Sequence, residues 1–283
     1  MTQARGSVPI DGVAMTAVGV AVIRARESQR PDRLYDDPLA RTFVEAARAG
    51  FAETEGGVDR WSRIEAVADA FYAGRSVAVR LVDDAVRAGI ESGCRQVVLI
   101  GAGLDTRAFR MPLPAGTRWF EIDLPELFAF KEPVLAAAGA VPGCVRAVIA
   151  QDLRGDWAKS LREQGFRPDE PTQWVDEGAI PYLPHEDALR VVATITELSA
   201  PGSRFGVARL KADLNQPHYH ELAELVGGDP EWTPHGLGPG AEDWLREHGW
   251  RTEFRGWDEM VAGLDRPAAL NDPDVGTVLA IRE

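Results

Sequence analysis

Cysteine is nearly missing from this chain. Cys94 and Cys144 are the whole supply in 283 residues. Two thiols cannot build a disulfide framework, and no C-x-x-C pair is present, so the sequence reads as one suited to a reducing cytoplasm. Histidine is sparse too, with five residues, none in an H-E-x-x-H pattern or a histidine–cysteine cluster, so no metal site is expected. No serine sits in a G-x-S-x-G elbow, which removes the anchor of a hydrolase triad. Long apolar runs are lacking: residues 13–23 are too few to span a bilayer, and no basic segment precedes them as in a signal peptide. Positive charge is in deficit, with 31 Lys and Arg against 44 Asp and Glu and a net charge of −13. That balance argues against nucleic acid and membrane surfaces as partners.

What is present is a core: 45% of the residues are hydrophobic, enough for one large α/β domain. No internal repeat or low-complexity tract interrupts it. Residues 1–92 read as helical, with segments at 13–26, 39–49 and 61–90, the last interrupted by Gly74. Residues 93–210 alternate strands at 96–100, 118–123, 146–150, 173–176 and 204–208 with helices, the pattern of a doubly wound parallel sheet. The helix before the fifth strand is expected over 185–199. Residues 211–283 hold a Pro/Gly-rich loop, a helix at 241–248 and two late strands at 252–254 and 277–281. Residues 1–92 are thus expected to form an N-terminal helical unit and 93–283 the core, with an insertion near 211–240.

The richest stretch is residues 97–107, Val-Val-Leu-Ile-Gly-Ala-Gly-Leu-Asp-Thr-Arg. An apolar strand runs straight into Gly101 and Gly103, the place where open α/β sheets bind nucleotide-like cofactors. Thr106 stands where the dinucleotide fingerprint needs its third glycine, which argues against an NAD-dependent oxidoreductase.

Each following strand ends in acid: Glu121 and Asp123, then Asp152, then Asp176 and Glu177. In a parallel sheet these ends meet in one crevice. Several carboxylates there would repel a triphosphate, but they suit a ligand with ribose hydroxyls, an adenine amine and an ammonium group. S-adenosylmethionine has all three. Asp123 lies 20 residues after Gly103, where an acid accepts from ribose hydroxyls. Asp152 either accepts from the adenine amine, with Leu153 on the ring, or caps a turn. Glu177 either holds the ammonium or is a capping carboxylate. Arg75 reads as a carboxylate clamp or as a surface arginine. The pair His218 and His220 either lines a substrate pocket or begins a solvated helix.

Taken together, five stretches resemble the leucine carboxyl methyltransferase-like family of class I S-adenosylmethionine-dependent methyltransferases, in particular its bacterial small-molecule branch. They are 30–38 (Arg-Pro-Asp-Arg-Leu-Tyr-Asp-Asp-Pro), the 101–107 turn, 120–125 (Phe-Glu-Ile-Asp-Leu-Pro), 151–154 (Gln-Asp-Leu-Arg) and 174–184 (Trp-Val-Asp-Glu-Gly-Ala-Ile-Pro-Tyr-Leu-Pro). The resemblance implies a Rossmann-like, seven-stranded sheet with a reversed last hairpin and an N-terminal helical lid. It implies cofactor contacts by Gly101, Gly103, Asp123, Asp152, Leu153 and Glu177. Arg75, in a Tyr-x-x-Arg setting, resembles the family's carboxylate-binding arginine. Tyr35 and Tyr182 are implied as lid or pocket residues.

Methyl transfer is an in-line displacement that mainly needs the acceptor held close. A carboxylate is already ionised at neutral pH, whereas a phenol gains from a base, and no base is evident in the sequence. The expectation is an O-methyltransferase acting on a small-molecule carboxylate or acidic hydroxyl, in bacterial secondary metabolism. The alternative is a methyltransferase-fold protein that binds S-adenosylmethionine for another reaction or only binds ligand.

Overall fold

The computed structural model describes residues 14–209, 221, 222, 224, 236–266 and 268–283. Among the described residues three helices precede the first strand: α1 (Ala14–Ser28), α2 (Pro38–Ala52) and α3 (Gly57–Glu91). Pro38 occupies the first turn of α2, and Asp37 caps that helix by accepting from the Ala40 N–H at 3.1 Å. The helix α3 runs unbroken through Gly74, against the expected interruption. One glycine costs only about 1 kcal/mol relative to alanine. A 35-residue helix with Trp61, Ile64, Val67, Val77, Val79 and Val86 buried absorbs that cost. It ends at Gly93, whose φ of 105° suits a residue without Cβ.

The sheet has seven strands in the order β3-β2-β1-β4-β5-β7-β6. They are β1 (Gln96–Ile100), β2 (Arg118–Asp123), β3 (Val145–Ala150), β4 (Thr172–Asp176), β5 (Arg204–Arg209), β6 (Trp250–Gly256) and β7 (Gly276–Arg282). The first five are parallel, and β7 runs antiparallel between β5 and β6. The expected doubly wound sheet and reversed last hairpin are both present.

The helices between strands include α4 (Arg107–Arg110), α5 (Pro125–Ala137), α6 (Trp157–Glu163), α7 (His185–Glu197), α8 (Ala241–Glu247) and α9 (Trp257–Val261). They divide between two faces. On one, Val97 and Leu99 of β1 share a core with Val86, Trp119, Phe128 and Val175. On the other, Val98 and Ile100 pack with Phe120, Trp174, Val191 and Ile195. Every residue of β1 is buried, as expected for a central strand covered on both sides.

The chain steps outward from β1 to β2 and β3, then returns to place β4 on the other side of β1. The crossovers therefore part company beyond the ends of β1 and β4, where open sheets hold their ligands. Both the glycine turn after Ile100 and the Asp176–Glu177 pair lie at that point, because Ile100 pairs with Asp176.

Candidate functional site

The turn after β1 is built on left-handed backbone at Gly101 (φ 65°) and Gly103 (φ 50°). At Gly101 the absence of Cβ is a matter of space as well as strain, since an added Cβ would lie 2.3 Å from the Ala179 Cβ. The segment after β4 thus rests directly on the turn. Asp123, at the end of β2, reaches across from the other side. Its Oδ2 accepts from the Gly103 N–H at 2.6 Å and its Oδ1 from the Leu124 N–H at 2.7 Å. Burial pushes its carboxyl above the usual aspartate range, although both N–H groups oppose the shift. Each oxygen keeps a second lone pair for an outside donor.

The two carboxylates at the end of β4 have different jobs. Asp176 Oδ1 accepts from the N–H groups of Ala179 (2.8 Å) and Ile180 (3.1 Å) and so folds the short 3-10 turn Ile180–Tyr182. Glu177 turns towards α3 and the glycine turn. Its Oε2 receives Arg107 Nη1 at 2.6 Å, while its Oε1 is buried with no hydrogen-bond partner. Arg75, from α3, donates to the Glu177 carbonyl at 2.5 Å and stands 3.7 Å from that Oε1. Arg75 Nε is also buried without a partner. An arginine and a carboxylate thus stand side by side at this end of the sheet, each with a buried polar atom that lacks a hydrogen-bond partner.

Asp152 sits further along, after β3. Both its oxygens are taken by Arg154 on the same loop, a pair open to solvent that holds the carboxyl below its usual range. It does not cap α6, which is the role of Asp156, but it does cap a turn, its Oδ1 accepting from the Arg154 N–H at 2.8 Å. Leu153 is partly buried against the core that contains Trp157 and Trp174. Two other acids, Glu121 of β2 and Asp105 of the glycine turn, face inward. Glu121 is fully buried under α5, bound to Lys131 at 2.7 Å and to Arg146, because it lies two residues short of the strand end. Asp105 is turned back onto the Arg107 N–H at 2.7 Å.

A buried ionic lattice behind the turn went unread in the sequence. Arg107 bonds Asp83 at 2.7 Å, the Val79 carbonyl at 3.1 Å and Asp105, besides Glu177. Arg110 grips Asp83 with two bonds of 2.7 Å. Arg24 of α1 bonds Asp37 at 3.1 Å and the Leu104 carbonyl at 2.6 Å. Thr106 donates its hydroxyl to Asp37 at 2.7 Å. The residue that takes the place of a third glycine is thus the point where the turn is fastened to α2. Burial alone would push Asp83 and Asp105 up, but the arginines hold both carboxyls below the ordinary aspartate range. The available signal was arginine at 107 and 110, two cations one helical turn apart with no acid on their own helix.

Tyr35 is buried in this lattice, 6% exposed, with the Arg110 guanidinium 5.5 Å from its ring and no hydrogen-bond partner for its hydroxyl. Burial pushes its phenol far above the normal range, so it remains a donor at neutral pH. Tyr182 lies in the 3-10 turn, half-buried. His218 falls outside the described residues. A cleft of about 480 Å³ opens between the starts of α7 and α8, lined by His185, Leu189, Leu237 and Trp244 and by none of the crevice residues. The two places are connected through the 3-10 turn, since Ala179 lies on Gly101 and Pro181 on Gly236. Among the described residues no group of three or more His, Cys, Asp or Glu is arranged to hold a metal ion, and no helix is long and apolar enough to cross a membrane.

The family model of leucine carboxyl methyltransferase matches residues 17–196, from α1 through the glycine turn to α7. The chain belongs to the leucine carboxyl methyltransferase family. It is a methyltransferase of that family, and its relatives share nearly its full length. A protein from Parafrankia sp. is 44% identical over 94% of this chain and 85% of its own. One from Streptomyces coelicolor is 37% identical over the whole of both chains. Both are provisionally named S-adenosyl-L-methionine-dependent methyltransferases. Among solved structures, a protein from Thermobifida fusca provisionally named a methyltransferase has a TM-score of 0.51 at 20% identity, covering 96% of this chain and 95% of its own. A protein of the DUF574 family from Streptomyces avermitilis has a TM-score of 0.52 at 17% identity, covering 99% of this chain and all of its own. At such identities these two structures speak to the fold of this leucine carboxyl methyltransferase family member.

Proposed function

We propose that the crevice at the ends of β1, β2 and β4 binds S-adenosylmethionine and that the chain transfers its methyl group to an oxygen of a small molecule. The observation that carries this reading is the Arg75–Glu177 pair beside the glycine turn. Its unpartnered Oε1 and Nε match a zwitterion, with an ammonium on the carboxylate and a carboxylate on the guanidinium. Asp123 retains acceptor capacity for ribose hydroxyls next to Gly103. On this reading Asp152 and Leu153, which follow β3, take the adenine, Asp152 exchanging its bonds to Arg154 for the adenine amine. When bound, the cofactor supplies an electrophilic methyl on a sulfonium. The residues of this chain orient the acceptor and exclude water around it, with helices α1–α3 as the cap.

A carboxylate acceptor fits best. The family is named for carboxyl methylation, and a carboxylate needs no base, since its pKa lies about three units below neutral. Burial holds the Tyr35 phenol protonated, so it does not supply a base to the acceptor.

The test has two stages. Calorimetry with S-adenosylhomocysteine should give a one-site isotherm, and the absence of heat at millimolar ligand would reject the cofactor. Incubation with S-adenosylmethionine and a panel of carboxylic acids and phenols should then give products 14 mass units heavier. Mild alkali cleaves a methyl ester and spares a methyl ether, so the fate of the product in base decides between carboxylate and hydroxyl acceptors.

A further inference from the structure

The Arg75–Glu177 pair raises a physical difficulty. Opposite charges 3.7 Å apart on rotatable side chains tend to close on each other. A closed pair would use up both hydrogen-bonding groups and leave nothing for a zwitterionic ligand. In this structure the pair stays open, and Glu177 is held from the other side.

We propose that Arg107 is a positioning residue that holds Glu177 away from Arg75 and thereby presents Glu177 Oε1 to the ammonium of the cofactor. Arg107 is 1% exposed and fixed from three directions. Its Nε bonds Asp83 and its Nη2 bonds the Val79 carbonyl, both on α3. Its Nη1 bonds Asp105 on its own turn and Glu177 Oε2 at 2.6 Å. A guanidinium with this many fixed partners has no rotational freedom, and it gives Glu177 one stationary anchor. With Oε2 engaged there, rotation of the Glu177 carboxylate towards Arg75 would break a charge-assisted hydrogen bond between groups shielded from water. Arg75 meanwhile donates to the Glu177 carbonyl and stays 3.7 Å from Oε1, an ion pair that makes no hydrogen bond. The anchor lies on the same turn as Gly101 and Gly103, so the nucleoside contacts and the ammonium contact are set by one rigid piece of chain.

This inference rests on the cofactor reading above, and the experiment separates the two. Binding of S-adenosylhomocysteine, which carries the amino-acid portion, is compared with binding of 5′-methylthioadenosine, which lacks it. For Arg107→Lys, affinity for S-adenosylhomocysteine should fall roughly tenfold or more, as expected on losing a charge-assisted contact. Affinity for methylthioadenosine should stay within about twofold, the nucleoside contacts being untouched. Glu177→Gln should show the same selectivity, and the double variant Arg107→Lys/Glu177→Gln should be no weaker than Glu177→Gln alone, because Arg107 acts through Glu177. Asp105→Asn loosens Arg107 from one side without removing it and should shift selectivity in the same direction, which covers the case of an Arg107→Lys protein that does not fold. Equal loss for both ligands, additive effects in the double variant, or unchanged selectivity in Asp105→Asn and Arg107→Lys would overturn the role of Arg107. A wild-type protein that binds neither ligand would overturn the cofactor reading and this inference together.

Discussion

The Gly103 N–H donates to Asp123 Oδ2 across 2.6 Å, so the turn after β1 and the end of β2 are joined through one carboxylate. That bond orders the turn before any ligand arrives and aims the carboxylate into the crevice.

Asp123→Ala should therefore weaken both S-adenosylhomocysteine and 5′-methylthioadenosine. The loss should be roughly 10- to 100-fold, the range for hydrogen bonds to a charged group. Calorimetric titration of each ligand checks it; a variant that loses only one of the two would remove Asp123 from the ribose. The raised carboxyl of Asp123 adds a pH signature. Ligand affinity should decline as pH falls at a value above the ordinary aspartate 3.8, and Asp123→Asn should abolish that part of the profile.

Gly101→Ala places a Cβ 2.3 Å from that of Ala179 and asks alanine to hold a φ of 65°. Left-handed backbone alone costs about 1–2 kcal/mol, and the segment from Glu177 to Tyr182 must also move. Thermal unfolding should shift down and S-adenosylhomocysteine should bind more weakly. Adding Ala179→Gly should restore part of the affinity while leaving the backbone cost in place. No recovery in the double variant would mean that the contact with Ala179 does not matter.

Asp83 is buried between Arg107 and Arg110. Burial by itself would raise its carboxyl, but Arg110 and Arg107 hold it below 3.8. A carboxyl depressed in the folded state stabilises above its unfolded pKa and loses that contribution as pH falls through the folded value. Asp83→Asn should thus destabilise at pH 7 by about 3–5 kcal/mol, since two arginines lose a shared buried partner. The gap between variant and wild type should narrow below about pH 4, near the unfolded aspartate value. Melting curves followed from pH 7 down to about pH 2 decide this; a gap that stays constant over that range would show that the charge of Asp83 is not what stabilises.

Asp152 and Arg154 form a solvent-exposed pair. Arg154→Ala should change stability by no more than about 1 kcal/mol, as for most surface ion pairs. It should leave nucleoside affinity equal or higher, because it frees both carboxylate oxygens. Asp152→Ala should lower affinity for 5′-methylthioadenosine. If Asp152→Ala binds as wild type, the adenine contact lies elsewhere.

The sheet was legible because its signals are local. An apolar run such as Val97–Ile100 next to glycine, or Gly93 closing a long amphipathic helix, carries its meaning within a few residues. The acids at strand ends could be collected for the same reason. Their orientation could not. Glu121 and Asp123 share a face of β2, yet the first disappears under α5 beside Lys131 and the second reaches the crevice. Two residues of strand length decide between them, and spacing does not carry that distinction. The lattice of Arg24, Asp37, Asp83, Arg107 and Arg110 was hidden for a deeper reason. Its members come from α1, the start of α2, α3 and the turn, and each alone has the composition of an exposed residue. Only the assembled cap shows that they neutralise one another out of water. Gly74 shows the opposite error, where a local signal for interruption was outweighed by the packing of the helix around it.

Thr106 is fully buried, and its hydroxyl donates to the carboxylate that also caps α2 and receives Arg24. In a recombination experiment this bond sets the crossover point. A chimera that joins the N-terminal helices of one relative to the core of another would keep a functioning seam only if the parental 101–110 segment travels with the helices. A junction placed at residue 93, where the helical and sheet portions divide by eye, would split one electrostatic unit between two parents.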